Sequence, residues 1–237
     1  MYIISTKPKK IVFLLFVVLT GYFHSFGQEK LDDVLTQKIA YKRVVEFLEK
    51  QKTINMVTFN DIKPTLPPDS STVGFHVIDR EYIFKDKLEN VWNQYVNAGL
   101  QNSWNTKKVH LGFTYSRNND SLYYAADTIK SLIPGLIVFF DIDLLFGIKD
   151  IAMAFEVTRV DSEKKLIEYS YIVGNGTEGK QQMFFESTSK GYTLITHLSY
   201  YKSKPKTREG LYPHIHAQLI NRYHRNMKRI YKQKPVG

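Results

Sequence analysis

Cysteine is absent from the 237 residues. That absence excludes disulfide frameworks, thiolate zinc sites, thiol nucleophiles and lipid attachment through an N-terminal cysteine. Long apolar runs are missing as well. The longest, Ile11 to Leu19, reaches 13 residues only when extended to Phe23, against the roughly 20 needed to span a bilayer. No G-x-S-x-G motif supports a serine nucleophile, and Gly174-Asn175-Gly176-Thr177 lacks the lysine of a phosphate loop. Acids are scarce in one place: from Lys202 to Lys234 ten basic residues face Glu209 alone. What is present, 43% hydrophobic and 14% aromatic residues, suits a folded chain and argues against bulk disorder.

The first 27 residues read as an export signal. Lys7, Lys9 and Lys10 precede the apolar stretch, and Ser25-Phe26-Gly27 places small residues where a signal peptidase reads. Cleavage there starts the mature chain at Gln28 and lowers the net charge from +10 to +7, because the leader carries three Lys and no acid. The expected location is the periplasm or the exterior. The rest divides into an N-terminal helix with a Pro-rich linker over 28–71 and a main domain over 72–237.

Leu31 to Gln51 carries apolar residues near helical period and is read as an amphipathic helix. Pro64 to Ser71 is dense in breakers and turn formers. A strand is expected over Val73 to Phe84, followed by a capping box at Asp86–Glu89 that opens a helix ending at Gly99, with Trp92 in the core. Five strands follow, Leu136–Phe146, Ile151–Val160, Lys165–Val173, Lys180–Ser187 and Tyr192–Tyr201. Their connections are too short for parallel crossovers, so an antiparallel meander is expected. Leu136, Val138, Phe140, Ile142, Leu144 and Phe146 share one face of the first. A long helix begins near Leu211, with apolar positions at Tyr212, Ile215, Leu219, Ile220, Tyr223, Met227 and Ile230 and a basic stripe at Arg222, Arg225, Arg229 and Lys232.

Pro134-Gly135, the strands through Asp161, Tyr169-Ser170-Tyr171, Gly174, Gly179 and Ser199 to Pro205 together resemble the helix-grip superfamily of START-like and birch-pollen-allergen-like (SRPBCC) domains, in a bacterial domain-of-unknown-function branch. The similarity covers Pro134 to Pro205 and extends to Val91, Ala98, Trp104 and the terminal helix. That branch usually carries His-Pro after the first glycine of the turn, where Asn175-Gly176 stands here, so no catalytic imidazole is carried over. The resemblance implies an α+β fold with an antiparallel sheet wrapped around the C-terminal helix and a cavity between them. It implies no reaction and no cofactor.

On that fold Phe155, Tyr169, Tyr171, Phe185, Tyr200 and Tyr223 are the expected lining of a site for a hydrophobic or amphipathic small molecule, a lipid included; core packing explains the same rings. An enzyme of the same fold would draw acid–base work from Glu156, Glu168, His197 or the pair Asp141 and Asp143, which lie on one strand face roughly 7 Å apart. Two carboxylates on a solvated strand face are the plain alternative. His214 and His216, two apart on a helix, point away from each other and do not suit one metal ion. The basic stripe suits an anionic membrane surface better than nucleic acid in an exported protein, and a solvated face equally well.

Overall fold

The computed structural model describes residues 28–104, 106–144, 149–203, 210 and 212–233. The expected export signal therefore lies outside the described residues, as do Phe146 and the residues from Lys204 to Glu209. Eight strands form one antiparallel sheet: β1 (His76–Phe84), β2 (Val109–Ser116), β3 (Ser121–Tyr124), β4 (Leu136–Leu144), β5 (Lys149–Asp161), β6 (Leu166–Tyr171), β7 (Thr177–Ser187) and β8 (Thr193–Ser203). Their order is β1-β8-β7-β6-β5-β4-β2-β3. From β4 to β8 each strand pairs with its successor, which is the expected meander. The helices are α1 (Lys42–Thr53), α2 (Leu88–Asn97), α3 (Leu100–Ser103) and α4 (Tyr212–Gln233).

Period-two alternation decides which side of the sheet each residue serves. On β4, Leu136, Val138, Phe140 and Ile142 face α2, α3 and α4, while Ile137 and Phe139 face the N-terminal segment. The first side carries the grip, with α4 laid across the sheet through Ile220, Tyr223 and Met227. This is the helix-grip arrangement. The second side carries an additional layer: Leu31, Val34, Val44, Phe47, Leu48, Phe59 and Ile62 bury Phe113, Tyr115 and Phe139. Phe59 stacks on Tyr115 at 4.3 Å.

Three local expectations need correction. The helix read over Leu31 to Gln51 begins at Lys42; Leu31–Asp33 and Thr36–Lys38 are single 3₁₀ turns, held by the Leu31 N–H to the Val57 carbonyl and the Leu35 N–H to the Tyr124 hydroxyl. Those tertiary bonds replace the intrahelical ones. The capping box does not form. Asp86 binds the Lys87 N–H at 2.6 Å and the Asn90 side chain at 2.9 Å, and Glu89 reaches Lys165 instead. Finally, β7 begins at Thr177, so Gly179 lies inside the strand rather than in the turn.

Gly179 sits at φ +137°, and a Cβ there would come within 1.9 Å of the Tyr200 carbonyl oxygen. Both terms are backbone terms that no side-chain rotation relieves. Gly179→Ala is expected to lower the free energy of unfolding by about 3 kcal/mol or more, read as a lower urea midpoint with unchanged slope. A midpoint within experimental error of the parent would refute it.

Candidate functional site

Between the sheet and α4 the interior has two halves. The apolar half is a ring stack. Trp104, at the C-terminal end of α3, lies flat on Tyr223 at 4.2 Å and touches Phe140, Phe155 and Tyr169. Trp104 Nε1 and the Tyr169 hydroxyl are both buried and make no hydrogen bond. The Tyr223 hydroxyl and the indole N–H are close enough to Tyr169 to favour its ionised form, but burial dominates and pushes that hydroxyl well up.

The polar half is a file of eight side chains. Tyr95 bonds His224 Nδ1 at 2.7 Å, His224 Nε2 meets His197 Nδ1 at 2.9 Å, and His197 Nε2 meets Gln181 Oε1 at 3.0 Å. Gln181 Nε2 donates to the Tyr171 hydroxyl at 3.0 Å, which meets Tyr212 at 2.6 Å. Tyr212 bonds His216 Nδ1 at 3.3 Å, and His216 Nε2 ends on Ser199 Oγ at 2.6 Å. An amide oxygen only accepts, so His197 donates from Nε2 and accepts at Nδ1. His224 then donates from Nε2 and accepts from Tyr95. Onward from Gln181, Tyr171 donates to Tyr212, Tyr212 to His216, and His216 to Ser199. One neutral tautomer at each histidine satisfies every link.

The electrostatics agree with that assignment. Burial holds His197 well below the ordinary imidazole value, and the neighbouring His224 and His216 add to the effect. Burial lowers His216 to about 3, helped by the Arg80 charge, and lowers His224 strongly, helped by Lys228. Tyr95, Tyr212 and Tyr223 are all raised, chiefly by burial.

Five of the six expected lining residues face this interior. Phe155, Tyr169 and Tyr223 join Trp104, Phe185 packs on Trp92 and Tyr95, and Tyr171 belongs to the polar file. Tyr200 does not. Ser199 and Tyr201 are its buried neighbours on β8, so Tyr200 points to the opposite face, beside Val77 and Lys180 in register. The space expected to be a cavity is occupied by the ring stack, because Trp104 reaches in from α3.

Of the acid–base candidates, only His197 lies in this interior. Glu156 is on the outer side, bound bidentately by Arg117 at 3.0 Å through both oxygens. Glu168 is also outer, held by Lys180 at 3.1 Å, Gln182 at 2.7 Å and Thr158 at 2.9 Å. Asp143 pairs with Lys108 at 3.0 Å. Asp141 is buried rather than solvated, and lines a surface cleft of about 360 Å³ with Tyr41, Lys42, Arg43 and Glu46. A second surface cleft of about 430 Å³ lies by Asn118, Tyr123 and Ile133. His214 is exposed and His216 buried, as their spacing requires. Among the described residues no three of His, Asp or Glu converge to hold a metal ion. Ser199 starts an S-x-x-K spacing, but Lys202 faces the other side of β8, over the Phe75 ring.

Arg225, Arg229 and Lys232 are exposed along α4, with Arg222 half-buried beside them. No Asp or Glu occurs in that helix.

No protein-family model matches the sequence, and no curated protein matches it. Solved structures do. Norcoclaurine synthase from Thalictrum flavum is 16% identical, with 69% of this chain and 91% of that one covered at a TM-score of 0.48. The major latex-like protein 151 of Panax ginseng is 8% identical over 67% and 99%, TM-score 0.49. Protein Ms6760 from Mycobacterium smegmatis is 14% identical over 66% and 90%, TM-score 0.46.

Proposed function

We propose that the protein is an exported carrier of the bacterial START-like branch, binding a small hydrophobic or amphipathic molecule between the sheet and α4. One observation carries the reading. Trp104 Nε1 and the Tyr169 hydroxyl, neither in a hydrogen bond of normal geometry, lie with the Tyr223 hydroxyl at the centre of the ring stack, with only one another as polar partners. A buried donor without a well-formed bond costs up to about 1–3 kcal/mol, and a guest with an acceptor atom at that point offers each a better one. Entry parts α3 from α4, which are joined by the Asn226 side chain donating to the Asn102 and Ser103 carbonyls at 2.6 and 2.8 Å.

The test is a fluorescence titration of the mature protein with N-phenyl-1-naphthylamine. Saturable one-to-one binding is expected, with quenching of tryptophan emission that Trp104→Phe abolishes. A linear, unsaturable signal would overturn the carrier reading.

A second reading concerns the exterior of α4. A 22-residue helix with a basic stripe and no acid suits an anionic membrane surface, to which each Lys or Arg contributes about 1 kcal/mol at low salt. Sedimentation with phosphatidylserine-containing vesicles, weakened steeply between low and moderate ionic strength, is the expected behaviour. Binding indifferent to salt rejects it.

A further inference from the structure

The concave side of β1 carries a cation without a counterion. Arg80 is half-buried, its Nε is buried with no hydrogen-bond partner, and among the described residues no carboxylate pairs with it. Its surroundings are countable. Along β1 its same-face neighbours are Ile78 and Tyr82, since Asp79 and Glu81 alternate to the outer face. Across on β8 it stands opposite His197. From α4 come His216, held neutral, and Asn221, which accepts from the Tyr82 hydroxyl at 2.7 Å; Arg225 adds a second positive charge near that hydroxyl. Each of these neighbours is neutral or positive. The buried Nε is left without a partner, and an oxyanion in the seam supplies both that bond and a counterion.

The seam is continuous with the interior. The Tyr82 ring stacks on His224 at 3.8 Å, His224 meets Tyr223 at 5.2 Å, and Tyr223 stacks on Trp104 at 4.2 Å. Aromatic rings thus run in contact from Tyr82, beside the cation, to Trp104 and Tyr169.

We infer that the guest is an amphipathic anion whose acidic head, a carboxylate, sulfate or phosphate, is read by Arg80 at the β1–α4 seam while its apolar body lies toward Trp104. This rests on the carrier reading and adds the chemical class of the ligand. A planar guanidinium suits an oxyanion because two parallel N–H groups match two oxygens.

Two dyes of one aromatic skeleton separate the claims: uncharged N-phenyl-1-naphthylamine and the anion 8-anilinonaphthalene-1-sulfonate. The parent protein is expected to prefer the sulfonate. Arg80→Gln should weaken the sulfonate dye about 10- to 100-fold and leave the neutral dye unchanged, whereas Arg80→Lys should retain part of the preference. Inorganic phosphate at millimolar concentration should not displace either dye, which distinguishes an amphipathic guest from a free anion. The melting temperature of Arg80→Gln should stay level or rise, since a cation without a partner is removed. If the neutral dye binds and Arg80→Gln holds the sulfonate as tightly as the parent, the headgroup assignment fails and the carrier reading stands. If neither dye binds, both fail. Loss of both dyes together with a lower melting temperature in Arg80→Gln makes the residue structural and overturns the assignment.

Discussion

Replacing Arg117 by alanine is expected to lower the free energy of unfolding by about 3–5 kcal/mol and to release the N-terminal layer from the sheet. The guanidinium donates to Glu156 from Nε and Nη2 at 3.0 Å each, to the Phe59 carbonyl and Asn60 Oδ1 from Nη1 at 3.0 and 3.1 Å, and to the Ile62 carbonyl from Nη2 at 2.5 Å. One side chain therefore ties the segment that carries Phe59 and Ile62 to β5. Truncation leaves a mostly buried carboxylate and two carbonyls without donors, and that penalty exceeds the worth of any single bond. Glu156→Gln should cost less, because one amide oxygen still accepts and the Phe59, Asn60 and Ile62 oxygens still hold the guanidinium, although its charge loses its counterion. Chemical unfolding followed by amide exchange over residues 42–62 checks both the magnitude and the place. Equal costs for the two variants, or protection of α1 preserved in Arg117→Ala, would show that the clamp is not what holds the layer.

The sequence disclosed the sheet better than the helices, and the reason is physical. Strand alternation on β4 survives because both faces are buried but by different partners, so Phe140 and Phe139 are sorted by parity alone. β2 and β3 went unread although Val109, Leu111, Phe113 and Tyr115 alternate and Asn118-Asn119-Asp120 marks a turn; the register shift at Gly112 puts Phe113 and Tyr115 on the outer face while Val109 and Leu111 stay on the α4 side, which alternation alone does not show. On α4 the apolar period correctly found Ile220, Tyr223 and Met227. It could not find His216, His224 and Asn226, which are equally buried, because hydropathy scores such residues as solvent-facing. They are inside because partners on β8, α2 and α3 satisfy their hydrogen bonds, and those partners are known only once the chain is folded. The sequence singles out Tyr171 as lining, Tyr212 on the apolar helix face and His197 as an acid–base candidate, but not their joining into one file, because the links among them are made only by the fold.

Acidification is expected to begin destabilising this protein near pH 6.5, well above the pH at which its carboxylates protonate. His197, His216 and His224 all have folded-state values depressed by burial, His216 to about 3 against an ordinary 6.5. The sign follows from proton counting. Below pH 6.5 the unfolded chain takes up protons that the folded chain refuses, so stability is complete above that pH and is lost as pH falls through the unfolded value. The loss continues until the folded values are reached. Each such histidine contributes about 1.4 kcal/mol per pH unit inside the window, and three together about 4. Against a total of about 5–15 kcal/mol for a domain, a loss of about 4 kcal/mol per pH unit below 6.5 is a large fraction of the stability. Protonation also breaks the file directly: His197 and His224 face each other through one N–H and one lone pair, and a second proton puts two donors 2.9 Å apart. Neighbours supply no relief, since Arg80 and Lys228 are positive and the tyrosines are held neutral. Urea midpoints measured from pH 8 to pH 4.5 should fall steeply below 6.5, and His216→Gln, which keeps a donor toward Ser199 but cannot titrate, should flatten the slope by about one third. A stability that stays level down to pH 5 would mean that the three imidazoles accept protons in the folded state, and that the interior between sheet and α4 is open to water.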